Sequence, residues 1–126
     1  MYAINRHAVI IKGKKPFLDW INQLNDEEDN FQLTLEQLRS ESNTYLVPEA
    51  QMPEETIAYV DENFDKFFQA ELSAWALNDE DYPKNRTLQM FWDFFEIEVS
   101  DIVVDICDED LEYDENDYLE VEYFFE

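Results

Sequence analysis

Apolar positions recur in two rhythms along this chain, and the switches between them outline its elements. AINRHAVII (residues 3–11) is rich in β-branched residues and Gly13 follows closely, which predicts a first strand. Pro16 then brings the fixed φ of a first helical residue. Phe17, Trp20, Ile21 and Leu24 recur at helical spacing behind it, so a short helix follows and ends near the acidic connector NDEEDN (25–30). In TLEQLRSE (34–41), Thr34 and Gln37 stand where each side chain can satisfy an orphan backbone donor. A helix of one or two turns is expected there, with Leu35 and Leu38 facing inward. Tyr45, Leu46 and Val47 form a short strand closed by Pro48.

The longest helical pattern starts at Pro53 and continues to Asn78. Ile57, Val60, Phe64, Phe67, Phe68, Leu72 and Trp75 step by threes and fours along it. Glu54 and Glu55 sit where the helix dipole favours negative charge, and Glu62 and Lys66 have the spacing of an i,i+4 pair. TLQMFWDFFEIEVSDIVVDIC (87–107) supports two readings. Leu88, Trp92, Phe95, Val99, Ile102 and Ile106 suit one helix, whereas the β-branched cluster of Ile97, Val99, Ile102, Val103, Val104 and Ile106 suits a helix followed by a strand. Within it, MFWDFF (90–95) reads as packed core; exposed, it would be a self-association surface and make a homodimer. Residues 118–125 alternate, with Leu119, Val121, Tyr123 and Phe125 on one face, as in an edge strand. The expected fold class is α+β: a single domain over residues 1–126, two or more helices packed on a small sheet, with a highly acidic C-terminal segment, 105–126.

Charge changes the picture more than composition does. The formal net charge is −24, from 32 acids against 8 bases. A magnitude of roughly 2 to 8 suffices to keep a small domain in solution, so solubility alone does not require this excess. Residues 1–15 carry Arg6, Lys12, Lys14 and Lys15 and no acid; nothing after Arg86 is basic, and residues 87–126 hold 15 acids. Direct binding to nucleic acid or to an anionic membrane is disfavoured by such a field, and a basic protein is the expected partner. The start lacks a signal-peptide pattern and no long apolar run occurs, so a soluble cytoplasmic protein is the expectation. Cys107, among Ile102, Val103 and Ile106, reads as a small buried hydrophobe.

Catalytic and metal chemistry find little support in the pattern. An EF-hand register beginning at Asp108 finds Asp110 and Glu112, but Tyr113 stands where the sharp turn needs glycine, and Leu119 stands where glutamate must close the loop. His7 and Cys107 are too few for zinc, and a single glycine, Gly13, leaves no phosphate loop or dinucleotide fingerprint. His7 on a strand reads as a local hydrogen-bonding residue. No enzyme activity, cofactor or dedicated metal site is expected.

Carboxylates interleaved with aromatic side chains remain. Asp108, Asp110, Glu112, Tyr113, Asp114, Glu115, Asp117 and Tyr118 are the candidate binding residues, with Asp79, Glu80 and Asp81 as a second patch. In general character the chain resembles DNA-mimic and nuclease-immunity proteins, a likeness of composition that carries no residue over. It implies either a mimic competing with duplex DNA or an inhibitor seated on a basic nuclease. A structural or adaptor domain whose charge is only solvation is the third class.

Overall fold

A computed structural model describes residues 1–24 and 32–114. The connector expected at 25–30 and the strand expected at 118–125 lie outside the described residues. In chain order the elements are β1 (Tyr2–Ala3), β2 (His7–Gly13), α1 (Lys15–Leu24), α2 (Leu35–Ser40), β3 (Asn43–Val47), α3 (Pro53–Glu62), α4 (Phe64–Ser73), a 3₁₀ turn (Asp79–Asp81), α5 (Leu88–Phe94), β4 (Phe95–Ser100) and β5 (Val104–Asp105). β2 is the middle strand of an antiparallel sheet in the order β3-β2-β4, and β1 pairs with β5 in a separate two-stranded ribbon. The fold is a small α+β domain, with several helices packed against a small antiparallel sheet.

Strand alternation decides which side chains enter the core. Val9 and Ile11 of β2 are sealed, as are Val47 of β3 and Phe95 of β4, while Ile10 and Lys12 point the other way and stay half-buried. On the covered face Phe95 packs on Phe17 of α1 at 4.7 Å between ring centroids, on Phe91 of α5 at 5.2 Å and on Phe68 of α4 at 5.4 Å. These tilted and edge-on geometries suit aromatic quadrupoles. The aromatic run of residues 90–95 is therefore mainly core: Phe91 and Phe95 are sealed, and Met90, Trp92 and Phe94 pack against them.

Of the two readings of residues 87–107, helix followed by strand is the one the chain adopts. Thr87 caps α5 by accepting the Met90 backbone N–H at 3.1 Å, and the chain turns extended at Phe95. From there Ile97 pairs with Ile11 and Val99 with Val9, so the β-branched residues fill a pleated surface where a helix would have crowded them. The capping box at Thr34 and Gln37 forms as expected.

Four expectations are corrected. The strand expected over 3–11 is two: Ala3 ends β1 in the two-stranded ribbon, and β2 begins only at His7. The helix expected over 53–78 is two helices. Asn63 donates its side-chain amide to the Tyr59 carbonyl at 2.9 Å, its backbone leaves the helical region, and its own carbonyl starts α4 by accepting from Lys66. A short amide side chain competes with the helical ladder in this way, and the continuing apolar rhythm hid it. Glu62 and Lys66 consequently stand on different helices. Leu38 is buried, but Leu35 is exposed because it opens the first turn of a helix only six residues long. Cys107 is exposed, since only Val104 and Asp105 of its neighbourhood pair with the N-terminal strand and the chain beyond runs over the surface.

Gly13 sits where α1 and α2 close on the end of β2. A Cβ there would lie 2.5 Å from Leu38 Cδ2 and 2.9 Å from Phe17 Cδ2, and both neighbours are buried. Gly13→Ala is expected to cost about 1–3 kcal/mol through overpacking, read as a lower denaturant midpoint with an unchanged slope.

Candidate functional site

The body of the domain uses its cations locally. Lys12 Nζ meets Glu98 Oε1 at 2.8 Å across the sheet, Arg39 Nη2 meets Glu96 Oε1 at 2.9 Å, and Lys15 pairs with Asp19 along α1 at 3.1 Å. Lys14 Nζ donates to the Trp92 carbonyl at 2.9 Å. The basic N-terminal segment is thus folded against the acidic strand β4. The charge asymmetry of the sequence is partly cancelled in space, because β2 lies beside β4 and β1 beside β5.

Arg86, the last base of the chain, makes the most enclosed of these pairs. Its Nε and Nη2 donate to Asp65 Oδ1 and Oδ2 at 2.7 and 3.1 Å, Nη1 donates to the Pro83 carbonyl, and the guanidinium lies 6.0 Å from the Phe68 ring centre. Gln69 adds a third hydrogen bond to Asp65 Oδ2 at 2.8 Å. Burial pushes the Asp65 carboxyl up. The hydrogen bonds from Arg86 and Gln69, with the guanidinium charge, outweigh it and hold the group below its ordinary value of 3.8.

The acidic candidates occupy two surfaces. Asp79, Glu80 and Asp81 form the exposed 3₁₀ turn, pinned by Trp20 Nε1 donating to the Asp81 carbonyl at 3.0 Å and by Lys84 Nζ donating to the Glu80 carbonyl at 3.0 Å. These bonds use backbone oxygens, and among the described residues no ion pair reaches the three exposed carboxylates. The second surface starts at β5. Tyr2 pairs with Asp105, and Asp105 Oδ1 accepts the Cys107 backbone N–H at 2.9 Å, turning the chain. Beyond it Asp108, Asp110, Glu112, Tyr113 and Asp114 are exposed, and a furrow of about 690 Å³ runs along Asp105, Asp108, Asp110 and Glu112. Glu115, Asp117 and Tyr118 lie outside the described residues. Among the described residues no ion pair reaches Asp108, Glu109, Asp110 or Glu112.

His7 is buried at the start of β2, beside a small cavity of about 120 Å³ that Thr56 and Asp101 also line. Among the described residues no group of three His, Cys, Asp or Glu side chains is placed to hold a metal ion, and no helix is long and apolar enough to cross a membrane.

A third acidic feature is absent from the candidates read from the sequence. Glu71 in the last turn of α4 is only 5% exposed; its Oε2 accepts from the Tyr45 hydroxyl and from Asn43 Nδ2 at 2.8 Å. Burial pushes its carboxyl up, against the partial relief of those two hydrogen bonds, and burial with the Glu71 charge pushes the Tyr45 phenol far above the usual range. Its signal was in the pattern: Glu71 falls four residues after Phe67 and three after Phe68, inside the apolar stripe.

No protein-family model, curated protein or solved structure matches the chain. The residues and their geometry alone carry the functional argument.

Two measurements check the electrostatics. Asp65 has a depressed pKa, so its contribution is present above 3.8 and lost as pH falls through the lower folded value. Asp65→Asn is expected to cost about 1–2 kcal/mol at neutral pH, with the gap to wild type closing below pH 3.8 in acid-dependent unfolding. Repulsion among unpaired carboxylates is screened over a Debye length of about 8 Å at 0.15 M ionic strength, so the urea midpoint should rise as NaCl is raised from a few millimolar. A flat or falling midpoint would count against that account.

Proposed function

We propose that the protein binds a basic protein partner through the carboxylates that follow β5, with the 79–81 turn as a second contact, and catalyses no reaction itself. The observation that carries this reading is the contrast in counter-charge. Lys12, Lys15, Arg39 and Arg86 are paired within the body, while among the described residues no ion pair reaches the exposed Asp108, Asp110 and Glu112. An uncompensated surface of this sign draws a basic partner in by long-range attraction and repels acidic ones, raising association rates by roughly one to three orders of magnitude. Tyr113, almost wholly exposed at 97%, supplies an amphipathic ring for the contact itself.

Two kinds of basic partner fit. A DNA-binding protein would take the surface as a substitute for duplex DNA; a basic nuclease would be inhibited by it. Cytoplasmic residence belongs to the same reading. An adaptor without an electrostatic partner is the competing class, favoured by the solvated look of the 79–81 turn.

The test is capture of partners by the tagged full chain from host extract at low and high salt, followed by binding kinetics with the purified partner. A stoichiometric basic protein released by salt is expected. Asp108→Asn, Asp110→Asn, Asp114→Asn and Asp117→Asn together should slow its association at least tenfold. Displacement by duplex DNA identifies the mimic, and loss of nuclease activity identifies the inhibitor. Unchanged kinetics for the fourfold variant would overturn the proposal.

A further inference from the structure

We propose that the cavity beside Glu71 is a binding site for an organic cation, the guanidinium or alkylammonium head of a small molecule or of a basic side chain. The cavity, about 440 Å³, opens where the C-terminal ends of α2 and α4 meet the edge of β3. That size lies within the range of small-molecule pockets, roughly 300–1,000 Å³. Phe17, Leu38 and Trp75 belong to its apolar lining, and Glu41, Ser42, Asn43 and Glu71 supply its polar groups.

The placement of Glu71 is the feature that calls for a ligand. A carboxylate this buried is ordinarily matched by a cation, and among the described residues no ion pair reaches Glu71; its hydrogen-bond partners there are a neutral phenol and a neutral amide. The last turn of a helix is also the end where the dipole opposes negative charge. Both known hydrogen bonds go to Oε2, leaving Oε1 without a partner among the described residues. Oε1 is not sealed in the interior either: the one fully enclosed side-chain oxygen lacking a hydrogen bond there is Thr56 Oγ1. As Glu71 lines the cavity, Oε1 is the oxygen that faces it.

The surroundings select the chemistry. No lysine or arginine lines the cavity, and the neighbouring Arg39 is committed to the Gly13 carbonyl at 3.2 Å and to Glu96 at 2.9 Å. Glu41 at the exposed rim adds a second negative charge, and the half-buried Trp75 in the lining is an aromatic surface that suits a cation as well as apolar methylenes. Two carboxylates beside an aromatic residue suit a flat or tetrahedral nitrogen cation on an apolar stem. A bare divalent ion would need more oxygen ligands than the two carboxylates provide. Tyr45 and Asn43 hold Oε2, fixing the carboxylate so that Oε1 is presented in one orientation.

This site is separate from the acidic surface after β5 and does not depend on it. The full chain would be titrated with methylguanidinium chloride and with N-acetyl-arginine amide, following the Trp75 indole and Asn43 side-chain amide resonances by NMR, with NaCl at matched ionic strength as control. Saturable shifts at those two positions are expected for both probes. Stronger binding of the arginine amide assigns the site to a partner's side chain, and equal binding assigns it to a free guanidine or amine. Glu71→Gln, which keeps an acceptor for Tyr45 and Asn43, should weaken binding at least tenfold. Glu41→Gln, at an exposed position, should weaken it severalfold. Asp108→Asn with Asp110→Asn should leave the Trp75 response unchanged, separating this site from general attraction to an acidic protein. Shifts no larger than those caused by NaCl, or binding within twofold of wild type in both Glu71→Gln and Glu41→Gln, would overturn the assignment.

Discussion

The packing of Phe95 against Phe17, Phe68 and Phe91 is the contact on which the rest of this domain depends. Phe95 is the residue at which α5 becomes β4, so its backbone pairs with Gly13 while its ring joins the helical layer. One side chain therefore sets both the register of the sheet and the seat of α1, α4 and α5. Phe rings bring large apolar area and no polar atom to satisfy, which lets a strongly charged chain of modest length close a dry core. Gly13 completes the arrangement by leaving room for Phe17 and Leu38 against the strand end.

Around this core, electrostatics divides into two regimes. Arg86 and Asp65 meet in partial burial, with a bidentate bond, a third donor from Gln69 and an aromatic face nearby, and there an ion pair holds its geometry. The pairs of Lys12, Lys15 and Arg39 lie nearer solvent and contribute little stability individually. Their larger effect is on the field: they offset Glu98, Asp19 and Glu96, while among the described residues no ion pair reaches the acids of the 79–81 turn or Asp108, Asp110 and Glu112 after β5. Glu71 belongs to neither regime, being a buried charge held by neutral donors beside an open cavity.

Much of the architecture was legible locally. The capping box at Thr34, the extended run before Gly13 and the helix beginning near Pro16 each rest on interactions within a few residues. The break at Asn63 was not legible, because the apolar stripe passes through it and a single amide bonding back to Tyr59 decides the matter. Cys107 misled for a related reason. Its apolar neighbours suggested burial, but burial needs a facing layer, and the β1–β5 ribbon ends before reaching it.

The sequence by itself determined the charge, the aromatic supply and the candidate acids at 79–81 and from 108 onward, because exposure of a run of carboxylates follows from the cost of burying them. It also determined that residues 87–107 must be either one helix or a helix and a strand. Only the tertiary structure decided between the two, since β2 had to be present for Ile97 and Val99 to find partners. Only the tertiary structure, too, brought Tyr45 and Asn43 of β3 to Glu71 of α4 and left a cavity beside them. Such a site joins residues far apart in the chain, and no local pattern encodes the distance between them.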